Sequence, residues 1–198
     1  MSFICIRLLL LLSLTFKAMA YEEAPYSIVH QNDVYEIRTY TDRLAIQVNY
    51  TNTSSAFRKL FDYISGSNID STKINMTTPV TQSTKINMTT PVTQFNENGV
   101  KVMQFYLPSN FIKKNAPVPI DKELKLIIIE RGYFAVIRYS GRLTDKNYEK
   151  HKKILKDFLL KDNIEILSSA IKATYNGPFT LPILRRNEAM FRVAWKKK

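Results

Sequence analysis

The chain holds 198 residues with 29 Lys and Arg against 17 Asp and Glu, a formal charge of +12 at neutral pH. A single cysteine rules out an internal disulfide framework, and five glycines with two histidines leave little material for phosphate-cradling loops or a three-histidine zinc site. The basic balance points to anionic partners or simply to a solvated basic surface, since the cations are scattered apart from Lys196-Lys197-Lys198 and the lysines of one helix.

Residues 1–20 read as a secretory leader. Arg7 precedes the apolar run 8–12, extended by Leu14 and Phe16, and Ala18-Met19-Ala20 puts small residues where a signal peptidase reads. The run is too short to span a bilayer, which takes about 20 apolar residues. Cleavage after Ala20 removes Arg7, Lys17 and Cys5, leaving a domain of residues 21–198 with 27 basic and 17 acidic residues, a formal +10 and no thiol. The expected product is a secreted, monomeric, single-domain protein without a transmembrane segment, and export argues against a nucleic-acid partner.

Residues 34–40 and 44–50 alternate in the manner of strands around a turn at Asp42. A helix follows, with Ser55 as its cap, Phe57, Leu60, Phe61 and Ile64 spaced to face a core, and Gly66 as its stop. Asn98-Gly99 marks a tight turn before a strand over 101–107. The Pro-rich stretch 108–119 leads into a second half in the same order. Segments 124–130 and 133–139 flank Arg131-Gly132 as a hairpin. A helix over about 145–160 carries Tyr148, Ile154, Leu155, Phe158 and Leu159 on one side, and strands resume near 171–175 and 188–193. Neither half has enough sheet to bury its helix alone, so one α+β domain with antiparallel sheet and two helices is predicted.

Residues 71–82, STKINMTTPVTQ, recur letter for letter as residues 83–94. Fold-building repeats are longer and come in three or more copies, so this is a duplication inside one connection. The second copy, over 85–94, is expected to take the strand position, because the short Asn98-Gly99 turn fixes its register against 101–107. The first copy is expected to loop out.

Four stretches carry a resemblance that covers nearly all of the chain after the leader. Tyr35-Glu36-Ile37-Arg38-Thr39-Tyr40 resembles the opening strand of the SOUL haem-binding family. Residues 56–66, AFRKLFDYISG, look like its first helix and the glycine turn after it. Residues 73–82, KINMTTPVTQ, are similar to its Lys-Ile-x-Met-Thr-x-Pro-Val signature, present here twice. Residues 175–191, YNGPFTLPILRRNEAMF, resemble its closing segment. The resemblance implies a distorted antiparallel β-barrel of two similar halves flanked by two α-helices, and a function in binding haem or a related tetrapyrrole. This sequence departs from the family in carrying the signature twice. It also has Arg186-Asn187-Glu188-Ala189-Met190 where the family ends on Arg-Asn-Glu-Val-Trp, with the tryptophan lost or moved to Trp195.

No catalytic constellation is visible. Ser65-Gly66-Ser67 has the wrong spacing for a nucleophile elbow, and there is no phosphate loop and no His-Glu-x-x-His. The expected function is therefore binding, not catalysis. The resemblance places the ligand cleft near the first helix and the Met-Thr-Thr-Pro segment, which makes Met88 a candidate contact. Haem needs a flat apolar wall and cations for its propionates. Arg58 and Lys59, beside the apolar helix face, and Arg185 and Arg186, next to Phe179 and Leu184, are candidates for the second role. His30, in a polar stretch ahead of the first strand, and His151, at the edge of the second helix's apolar face, are the possible axial ligands. Asn49, Asn52, Asn75 and Asn87 stand in Asn-x-Ser/Thr sequons and are candidate glycan sites in a secreted chain. Two other readings stay open: a binder of other amphipathic or cationic small molecules, and an interaction protein whose basic surface meets glycans or acidic membranes.

Overall fold

Two runs of like order build the domain in this computed structural model, which describes residues 21–70 and 83–196. The first run comprises β3 (Glu36–Tyr40), β4 (Arg43–Tyr50), helix α1 (Thr53–Ser65), β7 (Val92–Glu97) and β8 (Val100–Tyr106). The second comprises β10 (Lys125–Ile129), β11 (Gly132–Tyr139), helix α2 (Asp145–Lys161), β12 (Ile171–Thr174) and β13 (Asn187–Val193). Ahead of them stand β1 (Glu22–Glu23) and β2 (Tyr26–Gln31), and the short strands β5 (Asn68–Ile69), β6 (Thr89–Thr90) and β9 (Val118–Pro119) lie in connections.

Nine strands form one antiparallel sheet, curled into a half-barrel, in the order β10-β4-β8-β7-β12-β13-β11-β3-β2. Exchanging the two runs maps this order onto itself about the β7–β12 pair, with β2 added at one end. The halves are thus related by a pseudo-twofold that runs through the middle of the sheet.

The expected hairpin at Arg131-Gly132 does not form. β10 pairs with β4, and β11 pairs with β3 and β13. The chain instead turns a corner there and crosses to the other half, as it does at Thr41-Asp42. The two equivalent corners meet, with the Arg131 amide donating to Asp42 Oδ1 at 2.6 Å. A two-residue turn between strands reads the same locally whether the strands pair or part. The Asn98-Gly99 turn does close the β7–β8 hairpin, and both residues hold positive φ, 50° and 86°, as a tight turn of this kind demands.

Each helix covers its own half. Under α1 lie Ile46, Val48, Met103 and Phe105, and under α2 lie Ala135, Ile137, Ala189 and Phe191. The cap of α1 is Asn52, whose side chain accepts from the Ser55 amide, so Ser55 is not the cap. The buried stripe of α1 is Ala56, Leu60, Tyr63 and Ile64, while Phe57 and Phe61 stand 39% and 45% exposed on its flank. Helical spacing allowed either stripe, and the wider contact of Tyr63 decides it: its hydroxyl donates to the Pro117 carbonyl at 2.8 Å. Gly66 ends the helix at φ 122°.

The second copy of the duplicated segment enters the fold. Ile86 is buried in the α1 core, its amide donates to the Ile64 carbonyl, and residues 92–94 run within β7. The Thr90–Pro91 bond is cis. The first copy, with Asn75, lies outside the described residues.

Candidate ligand cleft

The helices sit over the outer strands and leave the centre of the sheet uncovered between them. β7 and β12 pair there in the register Val92↔Thr174 and Gln94↔Lys172. Opposed residues share a face, so these four side chains form one patch. All four line a cleft of about 910 Å³. Thr53 and Phe57 of α1 line one side, and Asp145, Tyr148, Glu149 and Lys152 of α2 line the other. Met88, Phe95, Leu143 and Ala170 add apolar surface, and Tyr21 closes one edge. The cleft therefore lies on the pseudo-twofold, and the first residue of each helix borders it.

Phe57 is held for this position by an edge contact on Phe105 at 5.2 Å and by stacking on Phe61 at 6.1 Å. Tyr148 carries two lysines near its ring, Lys172 at 5.6 Å and Lys152 at 5.7 Å. Lys172 also pairs with Asp145 at 3.2 Å, and Lys152 pairs with Glu149. Burial, then Glu149, pushes the Tyr148 phenol far above its ordinary value, and burial, then Glu188, does the same for Tyr175, so both stay protonated at neutral pH. Tyr50 is raised as well, first by burial.

Among the candidates named from sequence, Met88 lines the cleft and Arg58, Lys59, Arg185 and Arg186 do not. Arg58 is exposed on α1. Lys59 is paired with Glu123 at 2.7 Å and Asp121 at 3.5 Å. Arg185 donates to the carbonyls of Thr180 and Pro178. Arg186 stacks 3.7 Å over the Tyr175 ring and grips Glu23 through two hydrogen bonds of 2.7 and 2.8 Å.

Neither histidine borders the cleft. His30 is half-buried in β2, its ring 5.1 Å from Trp195, and is not in a loop ahead of the sheet. β2 is an edge strand exposed on both faces for most of its length, so it carries no alternation to read. The His151 ring stacks on Tyr139 at 4.1 Å, and its Nδ1–H donates to the Asn147 carbonyl at 2.8 Å. Asn49, Asn52 and Asn87 are all exposed.

Sequence reasoning did not single out Lys101, Lys152 and Lys172, the cations that do line the cleft. The duplicated order of the halves was the available signal, since it places two helix starts and a central strand pair together. Nothing local in the chain signals that two of the motifs meet. Arg38 and Glu188, 1% and 0% exposed, form a two-pronged ion pair at 2.9 Å on the opposite face of the sheet. Glu36, Arg186, Tyr40 and Tyr175 complete the cluster.

Among the described residues, no group of three or more His, Cys, Asp and Glu side chains is gathered for a metal ion. No described helix is long and apolar enough to cross a membrane.

A family model described as SOUL heme-binding protein matches residues 21–192. No curated protein sequence matches the chain. Among solved structures, a hydrolase from Listeria innocua aligns at TM-score 0.55 and 10% identity, over 84% of this chain and 94% of its own. The EcmrR C-terminal domain aligns at TM-score 0.57 and 10% identity, over 85% and 98%. At such identity the likeness is one of fold.

Proposed function

The chain belongs to the SOUL haem-binding protein family, and from that premise we propose that it is a secreted, non-catalytic binder of haem or a related tetrapyrrole, held in the cleft between α1 and α2. The observation that carries this reading is an open space of about 910 Å³ with apolar and aromatic walls and lysines among them. That volume falls within the usual range of small-molecule sites, roughly 300–1,000 Å³. Haem, when bound, brings a flat apolar disc, an iron and two carboxylates. Phe57, Met88 and Val92 suit the disc. Lys101, Lys152 and Lys172 suit the carboxylates, helped by the positive ends of both helix dipoles. Met88 is the soft donor of the lining, and the histidines play no part, so burial and charge rather than a His–iron bond hold the ligand.

Haem titration followed by the Soret band tests this. Val92→Glu, which puts a charge on the cleft floor, is expected to weaken binding by tenfold or more, of the order of 1.4 kcal/mol. Lys152→Glu and Lys172→Glu are each expected to weaken it several-fold, Arg58→Glu by less, and His30→Ala hardly at all. A Soret shift that survives Val92→Glu and disappears in His30→Ala would place the ligand elsewhere.

Asp145 and Glu149 also line the cleft, which favours a second reading as a binder of cationic amphipathic molecules. Uptake of a fluorescent lipophilic cation, without haem uptake, would select it.

Secretion rests on the leader pattern, and the exposed sequons at Asn49, Asn52 and Asn87 agree with it. Asn52 can carry a glycan on its side-chain nitrogen while its oxygen still caps α1. The mass of exported protein should begin at Tyr21 with added glycan. Retention of Met1 to Ala20 would overturn the reading.

A further inference from the structure

Residues 177–184, between β12 and β13, make a loop whose large side chains none of the described residues covers. Phe179 is 98% exposed, Leu181 63%, Ile183 78% and Leu184 69%. Single exposed apolar residues need no explanation, but four on one eight-residue loop form a patch that does.

Five carbonyls of the backbone beneath them are hydrogen-bonded. The carbonyls of Gly177, Pro178, Thr180, Leu181 and Pro182 each accept a hydrogen bond, from Thr180, Arg185, Arg185, Leu184 and Arg185 respectively, and Pro182 takes a second from Gly141. Arg185 thus braces the loop from beneath, and the Tyr175 amide to the Arg186 carbonyl closes its base. Each satisfied carbonyl lowers the cost of moving that backbone out of bulk water, and the headgroup interface can still hydrogen-bond the amides of the loop. A loop that shows apolar tips on a frame braced by Arg185 is suited to the interface of a bilayer.

Charge says which bilayer. The chain carries a formal +12, or +10 without Arg7 and Lys17 of the leader, and Gly141, hydrogen-bonded to the loop, is followed by the exposed Arg142 and Leu143. Asp145, the next carboxylate along, is paired with Lys172. Gly177, Pro178 and Leu143 also border the cleft, so a surface met by the loop lies at the cleft's mouth.

We propose that the 177–184 loop docks the protein onto an anionic lipid bilayer by inserting Phe179, Leu181, Ile183 and Leu184 into the interface, with Arg142 meeting the headgroups. The docking stands on the loop alone and does not depend on what the cleft binds. Sedimentation of the purified protein, its N-terminus defined by intact mass, with vesicles of phosphatidylcholine alone and of phosphatidylcholine mixed with phosphatidylserine tests it. The expected result is strong partitioning to the mixed vesicles only. Phe179→Ser with Ile183→Ser should reduce it by about tenfold or more per side chain lost from the apolar phase, and Arg142→Glu should reduce it several-fold. Both variants should keep the wild-type circular dichroism and the wild-type response to haem, because none of these side chains is buried or lines the cleft. Phe179→Trp should add a blue-shifted emission over that of Trp195 when mixed vesicles are present. No vesicle binding, or binding that survives Phe179→Ser with Ile183→Ser, would overturn the proposal. So would self-association in place of lipid binding, abolished by the same pair.

Discussion

Glu188 is the most demanding residue in the molecule. Its side chain is wholly buried, and a lone carboxylate there would be prohibitively expensive. Two guanidinium groups and one phenol resolve this: Arg38 takes both oxygens, while Arg186 and Tyr175 take one each. Burial pushes the Glu188 carboxyl upward, but Arg38 and then Arg186 outweigh it and hold the group below its ordinary value. The cluster also ties β1 to the start of β13, since Arg186 reaches Glu23 in β1. Removing one member of a buried ion pair costs about 3–5 kcal/mol, because the partner charge is left behind. Glu188→Gln should therefore lower unfolding stability by about that much in a urea titration. Arg186→Met, at a site 18% exposed, should cost less. Equal and small losses, under about 1 kcal/mol each, would mean that the cluster is dispensable.

At the scale of elements, the duplicated segment is the clearest case of a change that the fold absorbs. Asn68, in β5, exchanges hydrogen bonds with the Thr84 backbone at 2.8 and 2.9 Å, and the Thr84 hydroxyl meets Asp70 at 3.2 Å. The residues on either side of positions 71–82 are therefore already in contact, so the two ends of an insertion there are held together by the fold itself. Removing one copy should leave stability within about 1 kcal/mol of the parent, since loop length enters only logarithmically; a variant that does not fold would refute this. The same logic explains what the sequence disclosed. Helices α1 and α2, the Asn98-Gly99 hairpin and the entry of residues 92–94 of the second copy into β7 were legible because spacing and turn chemistry are local, whereas residues 83–88 of that copy form no strand and 89–90 pair with β1 instead. The pairing of β10 with β4 and of β11 with β3 was not, because Asp42 and Arg131 mark corners that look like hairpin turns until the other half is present. β2 escaped notice because an edge strand need not alternate. Met88 was legible through its motif, but Lys152 and Lys172 were not, since only the packed halves bring α2 and β12 to one cleft. Arg38 and Glu188 stand in two motifs 150 residues apart, and nothing local pairs them.

The whole molecule is two like halves joined along β7 and β12, and this arrangement separates two jobs. The helix-side face opens on the axis as the cleft, while the opposite face closes over the Arg38–Glu188 cluster and a packed group of Tyr40, Phe134, Val136 and Met190. Charge on the closed face makes stability depend on pH in a definite direction. A carboxylate with a depressed folded pKa contributes stability above its ordinary value of 4.5, and that contribution is lost as pH falls through the folded pKa. Buried phenols act in the opposite sense. Burial pushes Tyr139 up to about 12, and Tyr40 to about 12 against the pull of Arg38. Their contribution is complete below the ordinary tyrosine value of 10 and is lost as pH rises toward 12. The urea midpoint should thus be flat through the neutral range, fall below the ordinary glutamate range and fall again above that of tyrosine. The Glu188→Gln variant isolates the acid limb. It should start from a lower plateau and lose less on acidification than the parent, because the group whose ionisation drives that limb is gone. The alkaline limb should be unchanged in it, and tyrosinate absorbance should rise in step with unfolding. An acid limb of the same depth in parent and variant would show that other carboxylates, and not the cluster that joins β3 to β13, set the lower edge of stability.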